Sequence, residues 1–476
     1  MILIFSLLII FAMLSTKLSS KTGLPLLIGF ILIGILAGSD VLNLYYFDNA
    51  LLTKRIADIL LIFIIFEGGF RITKKNFESV AGTSLTLATL GVALTSSVLG
   101  IFIHYFLKLD IIYSFIIASI ISSTDASAVF MITKENPIKN KLATTLNIES
   151  AANDPMAILL TLTFIQIYTK TFHSPIMAII LLIWQFFGGI LIGYICYKTT
   201  LFIFDKFQSD NRGNYNILII GCILFTYGIS DLLHANSIIS VFFMGYWFGN
   251  KNFPSKQGVS NFLESITIIF NITIFIMLGL LAFPSRFIYV WKSALFIVFV
   301  MMFIARPVAV FLSTLFFKYN YKEKIFLMWG GIKGAVPIVL ATYPAAYGMK
   351  ESNLIFDSIF FAVFLSCIIQ GTTLATLAKF LKFTEKRKPL SPYSVELHST
   401  KTTNFEMYEI LVQDNAPCIN KKLFELNFDK DVLISSIIRN GNLILPKGNT
   451  TIKENDILYI LTNEIKINEI NQRINS

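Results

Sequence analysis

The chain has 476 residues, of which 55% are hydrophobic and 14% are charged, and its mean hydropathy is +0.69. Soluble domains contain about a quarter charged residues, so this composition excludes an ordinary soluble protein and indicates a polytopic membrane protein. A formal net charge of +10 is compatible with nucleic-acid binding. However, the basic residues stand in short loops between apolar runs, where they set membrane orientation. The four cysteines show no metal-binding spacing, and we interpret them as small apolar residues.

Apolar runs of about 17–25 residues, separated by polar or Gly- and Pro-containing breaks, predict thirteen membrane spans. We expect the first span to be retained, because no basic region precedes it and no clear cleavage site follows. Basic residues concentrate in alternate loops, which places the N-terminus outside and the C-terminus in the cytoplasm. The predicted spans are residues 2–18, 24–39, 51–70, 78–106, 111–132, 142–168, 176–204, 215–233, 236–250, 261–283, 287–317, 324–345 and 353–381.

The most polar ten residues inside any predicted span are residues 147–156. Glu149 stands four residues before Asn153, and Ser150 stands four before Asp154. A helix would therefore carry two carboxylates, a hydroxyl and an amide on one face. A charge near the bilayer centre costs about 2.5–3.5 kcal/mol, and a span that keeps two is expected to use them on an ion or proton path. The alternative is a loop at the membrane surface, where these residues cost nothing.

Two other predicted spans are interrupted by residues that disfavour a regular helix. Residues 122–125, Ser-Ser-Thr-Asp, interrupt the fifth span, and residues 330–337, with three Gly and a Pro, interrupt the twelfth. Interrupted spans in corresponding halves of a transporter indicate its binding site. Since helix N-termini are positive and C-termini negative, we expect Asp125 beside the former and Lys333 beside the latter, or the two in a plain ion pair. A continuous helix is the alternative for the fifth span.

Two further charged residues lie within or at the ends of predicted spans. Arg306 lies deep in the eleventh span and needs a carboxylate partner. We expect this partner to be Glu149, which leaves Asp154 free to bind and release ions. Glu67, at the end of the third span, is interpreted as an interfacial residue near Arg71 rather than as a functional carboxylate.

These motifs together carry a resemblance over residues 1–381. They resemble the monovalent cation:proton antiporter-1 family, and in particular its bacterial cell-volume-regulation branch of NhaP-type potassium/proton or sodium/proton antiporters. The resemblance implies an all-α polytopic membrane protein, a homodimer of the bacterial cytoplasmic membrane, with about thirteen transmembrane helices and inverted repeats. It also implies a six-helix core that contains two unwound crossing helices. The motifs are Ser123-Thr124-Asp125, Glu149-Ser150, Asn153-Asp154-Pro155, Arg306-Pro307 and residues 331–337.

The resemblance also implies roles for individual residues. Asp154 is expected to carry the cation and the proton in turn, with a monovalent cation held at Asp154 and Thr124. At Lys333 this branch more often has arginine; lysine keeps the charge but not the fork of donors. The other residues expected around the ion are Ser150 and Asn153. The charges expected to hold the core together are Glu149, Arg306, Asp125 and Lys333.

After Leu381 the composition changes, and residues 382–400 predict a basic linker. Residues 401–476 predict a small α/β domain with a hairpin at Asn440-Gly441. Its pattern resembles the TrkA-C (RCK-C) regulatory domain, which implies a small ligand at residues 401–476, such as a nucleotide or cyclic dinucleotide. Its predicted elements are strands at Phe405–Val412, Val432–Arg439, Leu443–Leu445 and Ile457–Leu461 and a helix from about Ile465. The residues that carry the resemblance are Leu423–Phe428, Arg439–Gly441, Pro446 and Asn455–Ile457.

The sequence therefore predicts a secondary antiporter, not an enzyme, that exchanges K⁺ or Na⁺ for H⁺ without a cofactor. A carboxylate that binds a cation or a proton, but not both, couples the two fluxes by competition. Because Asn153 rather than a second Asp precedes Asp154, one-for-one electroneutral exchange is expected. A ligand-gated cation channel with a regulatory tail is the alternative, although no repeated carbonyl filter is visible. An intramembrane aspartyl protease using Asp125 and Asp154 is a weaker third, because no Gly-rich Asp motif is present.

Overall fold

A computed structural model gives the positions of most of the chain. The linker beyond Glu385, most of the second half of the fifth predicted span and the ends of the first lie outside the described residues. The described residues are 6–15, 26–125, 129, 137–170, 175–207, 209–385, 403, 405–413, 416–429, 431–463 and 466–475.

The predicted all-α membrane part is confirmed, and every predicted span contains a described helix. The number of helices that cross the membrane stays a prediction. The helices are α1 Ser6–Ser15, α2 Leu26–Ala37, α3 Ala50–Phe70, α4 Lys74–Thr86, α5 Val92–Leu107, α6 Ile111–Ser122, α7 Asn140–Tyr168, α8 Pro175–Lys206, α9 Arg212–Leu232, α10 Ser237–Gly249, α11 Lys256–Leu281, α12 Phe287–Val300, α13 Arg306–Ser313, α14 Tyr321–Trp329, α15 Ala335–Leu340, α16 Tyr343–Ala346 and α17 Ser352–Phe380.

Among the described residues, six helical stretches are long and apolar enough to cross a membrane. Two of them contain a short π-helical segment. These segments are Leu87–Gly91, between α4 and α5, and Met301–Ala305, between α12 and α13. The six stretches are Lys74–Leu107, Ile180–Lys206, Gly213–Leu232, Lys256–Leu281, Pro284–Ser313 and Ser352–Phe380.

Side-chain caps fix where several helices begin. The Asp110 carboxylate accepts the Ile112 N–H at 2.9 Å and so starts α6. Asn320 and Glu323 form a reciprocal capping box at the start of α14. The first N–H groups of a helix have no partner inside it, and a capping oxygen satisfies one of them. Both helices that lead into the predicted breaks therefore have a defined first residue.

Helices α3 and α10 pack with their backbones in contact. A Cβ atom at Gly245 would lie 2.3 Å from the Phe66 carbonyl oxygen, and one at Gly69 would lie 2.3 Å from the Phe242 carbonyl oxygen. Small residues permit this close approach where hydrophobic burial drives little helix association in lipid. Near the same end of α3, Glu67 pairs with Arg71 as expected, although its side chain is buried.

The C-terminal part forms a four-stranded antiparallel sheet of order β1-β4-β2-β3. Residues 440 and 441 have φ values of 49° and 79°, which is the left-handed conformation that a two-residue hairpin requires. The predicted strands and hairpin are thus confirmed within one or two residues. The elements are β1 Phe405–Leu411, β2 Leu433–Arg439, β3 Asn442–Ile444, β4 Ile457–Asn463 and α18 Ile467–Asn475.

The core of this domain explains part of its sequence pattern. Ile470 and Ile474 of α18 are buried with Leu458 and other apolar residues of the sheet. Arg439 binds Asp456 through two hydrogen bonds, from Nε at 2.8 Å and from Nη2 at 2.7 Å. The adjacent carboxylate raises the pKa of the Arg439 guanidinium. The Arg and Asp of the TrkA-C-like pattern therefore stabilise the fold.

We predict that Gly245→Ala destabilises the protein, because the new Cβ would meet the Phe66 carbonyl oxygen. Overpacking of this kind costs about 1–3 kcal/mol. The matched control is Gly221→Ala in α9, where a Cβ meets nothing within 4 Å and alanine favours the helix by about 1 kcal/mol. Thermal unfolding of both variants in detergent measures the difference. Equal melting temperatures would contradict the backbone contact between α3 and α10.

Candidate functional site

The two predicted helix breaks are present, and they contact each other. Helix α6 ends at Ser122, and Ser123 has extended backbone angles, φ −62° and ψ 150°. The second break lies between the end of α14 at Trp329 and the start of α15 at Ala335. The Asp125 N–H donates to the Ile332 carbonyl oxygen at 2.7 Å. The unwound residues of the two breaks therefore meet, and the continuous-helix alternative for the fifth span is wrong, because α6 ends at Ser122.

The charges in the two breaks lie at helix ends of opposite sign. The Lys333 ammonium is buried and donates to the carbonyl oxygens of Ser122, at 3.2 Å, and Ser123, at 2.9 Å. These are carbonyls at the negative C-terminal end of α6. The Asp125 carboxylate lies against Gly334, where a Cβ would be 2.3 Å from Oδ2. Gly334 precedes the first residue of α15, so Asp125 lies beside a positive N-terminal end, as expected.

Helix α7 carries the predicted polar face into this crossing. It runs through Pro155 as one helix from Asn140 to Tyr168. The side chains of Glu149, Ser150 and Asn153 are at most 1% exposed. A surface loop would leave these polar groups in water, so the loop alternative is wrong.

The four residues expected around an ion lie together, beside the break after α6. The hydroxyls of Thr124 and Ser150 are 2.9 Å apart. The Asn153 amide accepts the Thr124 N–H at 3.2 Å and donates to the Thr124 hydroxyl at 2.5 Å. Asp154 Oδ1 accepts a short hydrogen bond from the Ser123 hydroxyl. Helix α7 and the break thus form one polar cluster beside Asp154.

Ser123 was missed as a site residue by the sequence reasoning. Its only signal is its position in the polar break, which equally fits a serine bonded to its own helix. The contact with Asp154 becomes evident only when α6 and α7 are placed side by side.

The partner expected for Arg306 is the one found. Arg306 Nη1 lies 2.5 Å from Glu149 Oε1, and both side chains are buried. Arg306 Nη2 also donates to the Leu327 carbonyl oxygen of α14 at 3.2 Å. A Cβ at Gly331 would lie 2.8 Å from Arg306 Nε, so a larger residue there would displace the guanidinium. The pair therefore joins α7 and α13 to the helix that leads into the second break.

Asp154 differs from Glu149 in its charge environment. The ion pairs found within the described part of the chain do not include Asp154. The same residues contain no group of three or more acidic, His or Cys side chains able to hold a metal ion. A cation beside Asp154 would therefore have one carboxylate together with nearby hydroxyl and amide oxygens, which are hard ligands suited to hard cations.

Two helix breaks that meet beside a carboxylate, inside a bundle of apolar helices, are typical of secondary transporters. A family model described as "Sodium/hydrogen exchanger, transmembrane" matches residues 5–380, and a TrkA-C domain model matches residues 407–475. The chain belongs to the sodium/hydrogen exchanger family, and its C-terminal part is a TrkA-C domain. The resemblance found in the sequence is thereby confirmed.

Several proteins are similar to this chain over most of its length. The K(+)/H(+) antiporter NhaP2 of Shewanella sp. (strain ANA-3) is 33% identical, covering 97% of this chain and 81% of that protein. The K(+)/H(+) antiporter NhaP of Alkalimonas amylolytica is 30% identical, covering 97% of this chain and 80% of that protein. The solved sodium proton antiporter MjNhaP1 of Methanocaldococcus jannaschii superposes with a TM-score of 0.68 at 22% identity. The superposition covers 79% of this chain and 97% of the MjNhaP1 chain. The two proteins therefore share a fold.

We predict that Arg306→Ala strongly destabilises the protein, because it leaves Glu149 buried without its partner. Breaking a buried pair costs about 3–5 kcal/mol, whereas replacing both partners by neutral residues is far better tolerated. Arg306→Met with Glu149→Gln should therefore insert at a higher level than Arg306→Ala. The amount of folded protein in the membrane and its melting temperature measure this.

The control is Lys74→Ala, because the pair of Lys74 with Glu78 is exposed and contributes little. A double variant as poorly folded as Arg306→Ala would show that the two side chains do not stabilise each other.

Proposed function

We propose that the protein is a secondary antiporter that exchanges K⁺ or Na⁺ for H⁺ across the bacterial cytoplasmic membrane by alternating access at Asp154. The observation that carries the proposal is the Asp154 carboxylate beside the two helix breaks, which accepts a hydrogen bond from the Ser123 hydroxyl and takes part in none of the ion pairs of the described residues. Membership of the sodium/hydrogen exchanger family supports it. The relatives at 30% identity or more are named K(+)/H(+) antiporters, which supports potassium as the first cation to test.

The exchange is coupled by competition at one carboxylate. In the deprotonated state, Asp154 offers a negative charge, and the oxygens of Thr124, Ser150 and Asn153 lie close by. A proton on Asp154 removes the charge and with it most of the attraction for a cation. The two ligands therefore exclude each other, and each crosses only when the other has left.

The remaining charges of the crossing are fixed by their contacts. Lys333 is held by two carbonyl oxygens, and Glu149 is held by Arg306. Asp125 faces the start of α15. If these groups keep their charges through the cycle, only Asp154 changes charge. One cation then exchanges for one proton, and transport is electroneutral.

We predict that Asp154→Asn abolishes cation-dependent proton flux while the protein still inserts. The amide neither binds nor releases a proton, and a neutral side chain lowers the cost of burial in the membrane. Proton flux into sealed vesicles after addition of KCl or NaCl measures this with a pH dye. The control is Asp110→Asn, which removes an exposed carboxylate and keeps a capping side chain. Retained flux in Asp154→Asn would rule out Asp154 as the carrier.

We also propose that residues 401–476 form a cytoplasmic regulatory domain of a homodimer, joined by the linker 382–400 to the transport domain 1–381. Two copies held close together could bind a nucleotide-type ligand, such as a cyclic dinucleotide, between them. The TrkA-C match supports a regulatory role. Such a ligand biases transport only if its affinity differs between two states of the transporter.

We predict that a chain truncated after residue 385 still exchanges cations for protons, with an altered pH dependence. The described residues of the C-terminal part form a small sheet and a helix, which provide no ion pathway. The pH profile of exchange in vesicles, compared with that of the full chain, measures the effect. A truncated protein that inserts normally but transports nothing would make the tail part of the transport machinery.

A further inference from the structure

The first residues after α17 pair with the residues that precede α7. The Lys139 N–H donates to the Phe383 carbonyl oxygen at 2.9 Å, and the Glu385 N–H donates to the Pro137 carbonyl oxygen at 2.8 Å. Ile138 and Thr384 lie opposite each other in this antiparallel bridge. We call the segments Pro137–Lys139 and Phe383–Glu385, joined in this way, the exit bridge.

Phe383 fixes the exit bridge to a second helix. Its side chain is 3% exposed, although it belongs to the segment that leaves the membrane part. Its ring meets the Phe326 ring of α14 edge to face, with the centroids 5.8 Å apart. The Lys139 ammonium lies 5.3 Å from the centre of the Phe383 ring. Edge-to-face rings and a cation over a ring face are both attractive.

Both helices held by the exit bridge lead directly to the crossing. Lys139 is the residue before α7, which carries Asp154. Phe326 lies in the last turn of α14, which ends at Trp329 before the second break. An α-helix rises 1.5 Å per residue, so Asp154 lies about 22 Å along a continuous helix from the bridge. A shift of the bridge therefore moves the ends of both helices together.

The exit bridge is also where the chain leaves for its C-terminal domain. The turn after α17 is closed by the Phe383 N–H, which donates to the Ala378 carbonyl oxygen at 2.9 Å. Any force from the C-terminal domain along the chain reaches Glu385 and Phe383 before it reaches α17. The contacts of these residues direct that force to α7 and α14.

We propose that Phe383 is a positioning residue for the exchange site and that the exit bridge couples the C-terminal domain to it. This inference depends on the proposed antiport function, because the effect is read at that site. The bridge residues lie outside the polar cluster at Asp154 and act through the helix that carries it. If formation of the exit bridge changes the affinity of the site for the cation, then cation binding changes the stability of the bridge by the same factor.

The test uses the full-length chain in sealed vesicles, with KCl as the probe. Phe383→Ala removes the ring, and Glu385→Pro removes one bridging N–H. The matched controls are Phe380→Ala, whose ring is 81% exposed, and Glu385→Ala, which keeps the N–H. Phe383→Tyr serves as the conservative rescue. Half-saturating cation concentration, pH midpoint and maximal rate are measured separately for each variant.

We expect Phe383→Ala and Glu385→Pro to change the half-saturating KCl concentration by about fivefold or more, the lower end of the usual coupling range. The controls and Phe383→Tyr should behave as the unchanged chain. Unchanged half-saturation and pH midpoint in both bridge variants would overturn the proposal. The proposal would also be overturned if the bridge variants lowered only the amount of folded protein and the maximal rate, because such a result indicates a merely structural role.

Amide hydrogen exchange separates this inference from the proposed function. In the unchanged chain, slow exchange at the Lys139 and Glu385 amides is expected, because both donate in the bridge. Phe383→Ala should accelerate exchange there and in the first turns of α7, whereas Phe380→Ala should not. If the unchanged chain shows no cation-dependent proton flux, the proposed function fails. In that case accelerated exchange in α7 would still support the coupling, and unaltered exchange would overturn it.

Discussion

The structure depends on how helix ends are neutralised inside a membrane protein. Two helices stop at the crossing, and in the apolar interior the unpaired groups at their ends have no bulk water to bind. Lys333 satisfies the carbonyl end of α6, and Asp125 lies at the N–H end of α15. The Asp125 N–H bond to Ile332 joins the two breaks directly. With the helix ends neutralised in this way, an additional carboxylate such as Asp154 can remain available for a ligand.

The free-energy cost of burying charges at the two breaks also explains the ion pair of Glu149 with Arg306 beside them. Glu149 and Asp154 both lie in α7, and a buried Glu149 without a partner would be an uncompensated charge. Arg306 holds Glu149 at 2.5 Å, and glycine at position 331 leaves space for the guanidinium. One carboxylate is thereby committed to the fold, and the other is left to its hydroxyl partner. The two acidic residues have different roles because their surroundings differ.

Much of this site could be predicted from the sequence, because charge and backbone chemistry act locally. Four consecutive polar residues at 122–125, and three glycines with a proline at 330–337, both disfavour a regular helix, and a buried Arg306 requires a carboxylate. The Asn440-Gly441 turn was predictable for the same reason, since few residues adopt its left-handed angles.

Other features depend on how distant segments meet, and they could not be predicted. The Ser123 contact with Asp154, the glycine contact of α3 with α10 and the exit bridge each join residues far apart in the chain. Composition and periodicity predict that a helix packs, but not which backbone atom it meets. A buried Phe383 after the last span was a weak signal, because an aromatic residue at a membrane boundary is ordinary.

The presence of lysine rather than arginine in the second break also follows from this geometry. Arginine is suited to paired acceptors on a planar carboxylate, whereas an ammonium is a compact charge with three donors that rotate freely. The acceptors here are the carbonyl oxygens of two consecutive residues, Ser122 and Ser123, and one nitrogen reaches both. The side chain is only 2% exposed, so a bulkier guanidinium would need additional space. Because the end of α6 requires a positive charge, a point charge is sufficient there, whereas Arg306 uses two nitrogens for two different acceptors.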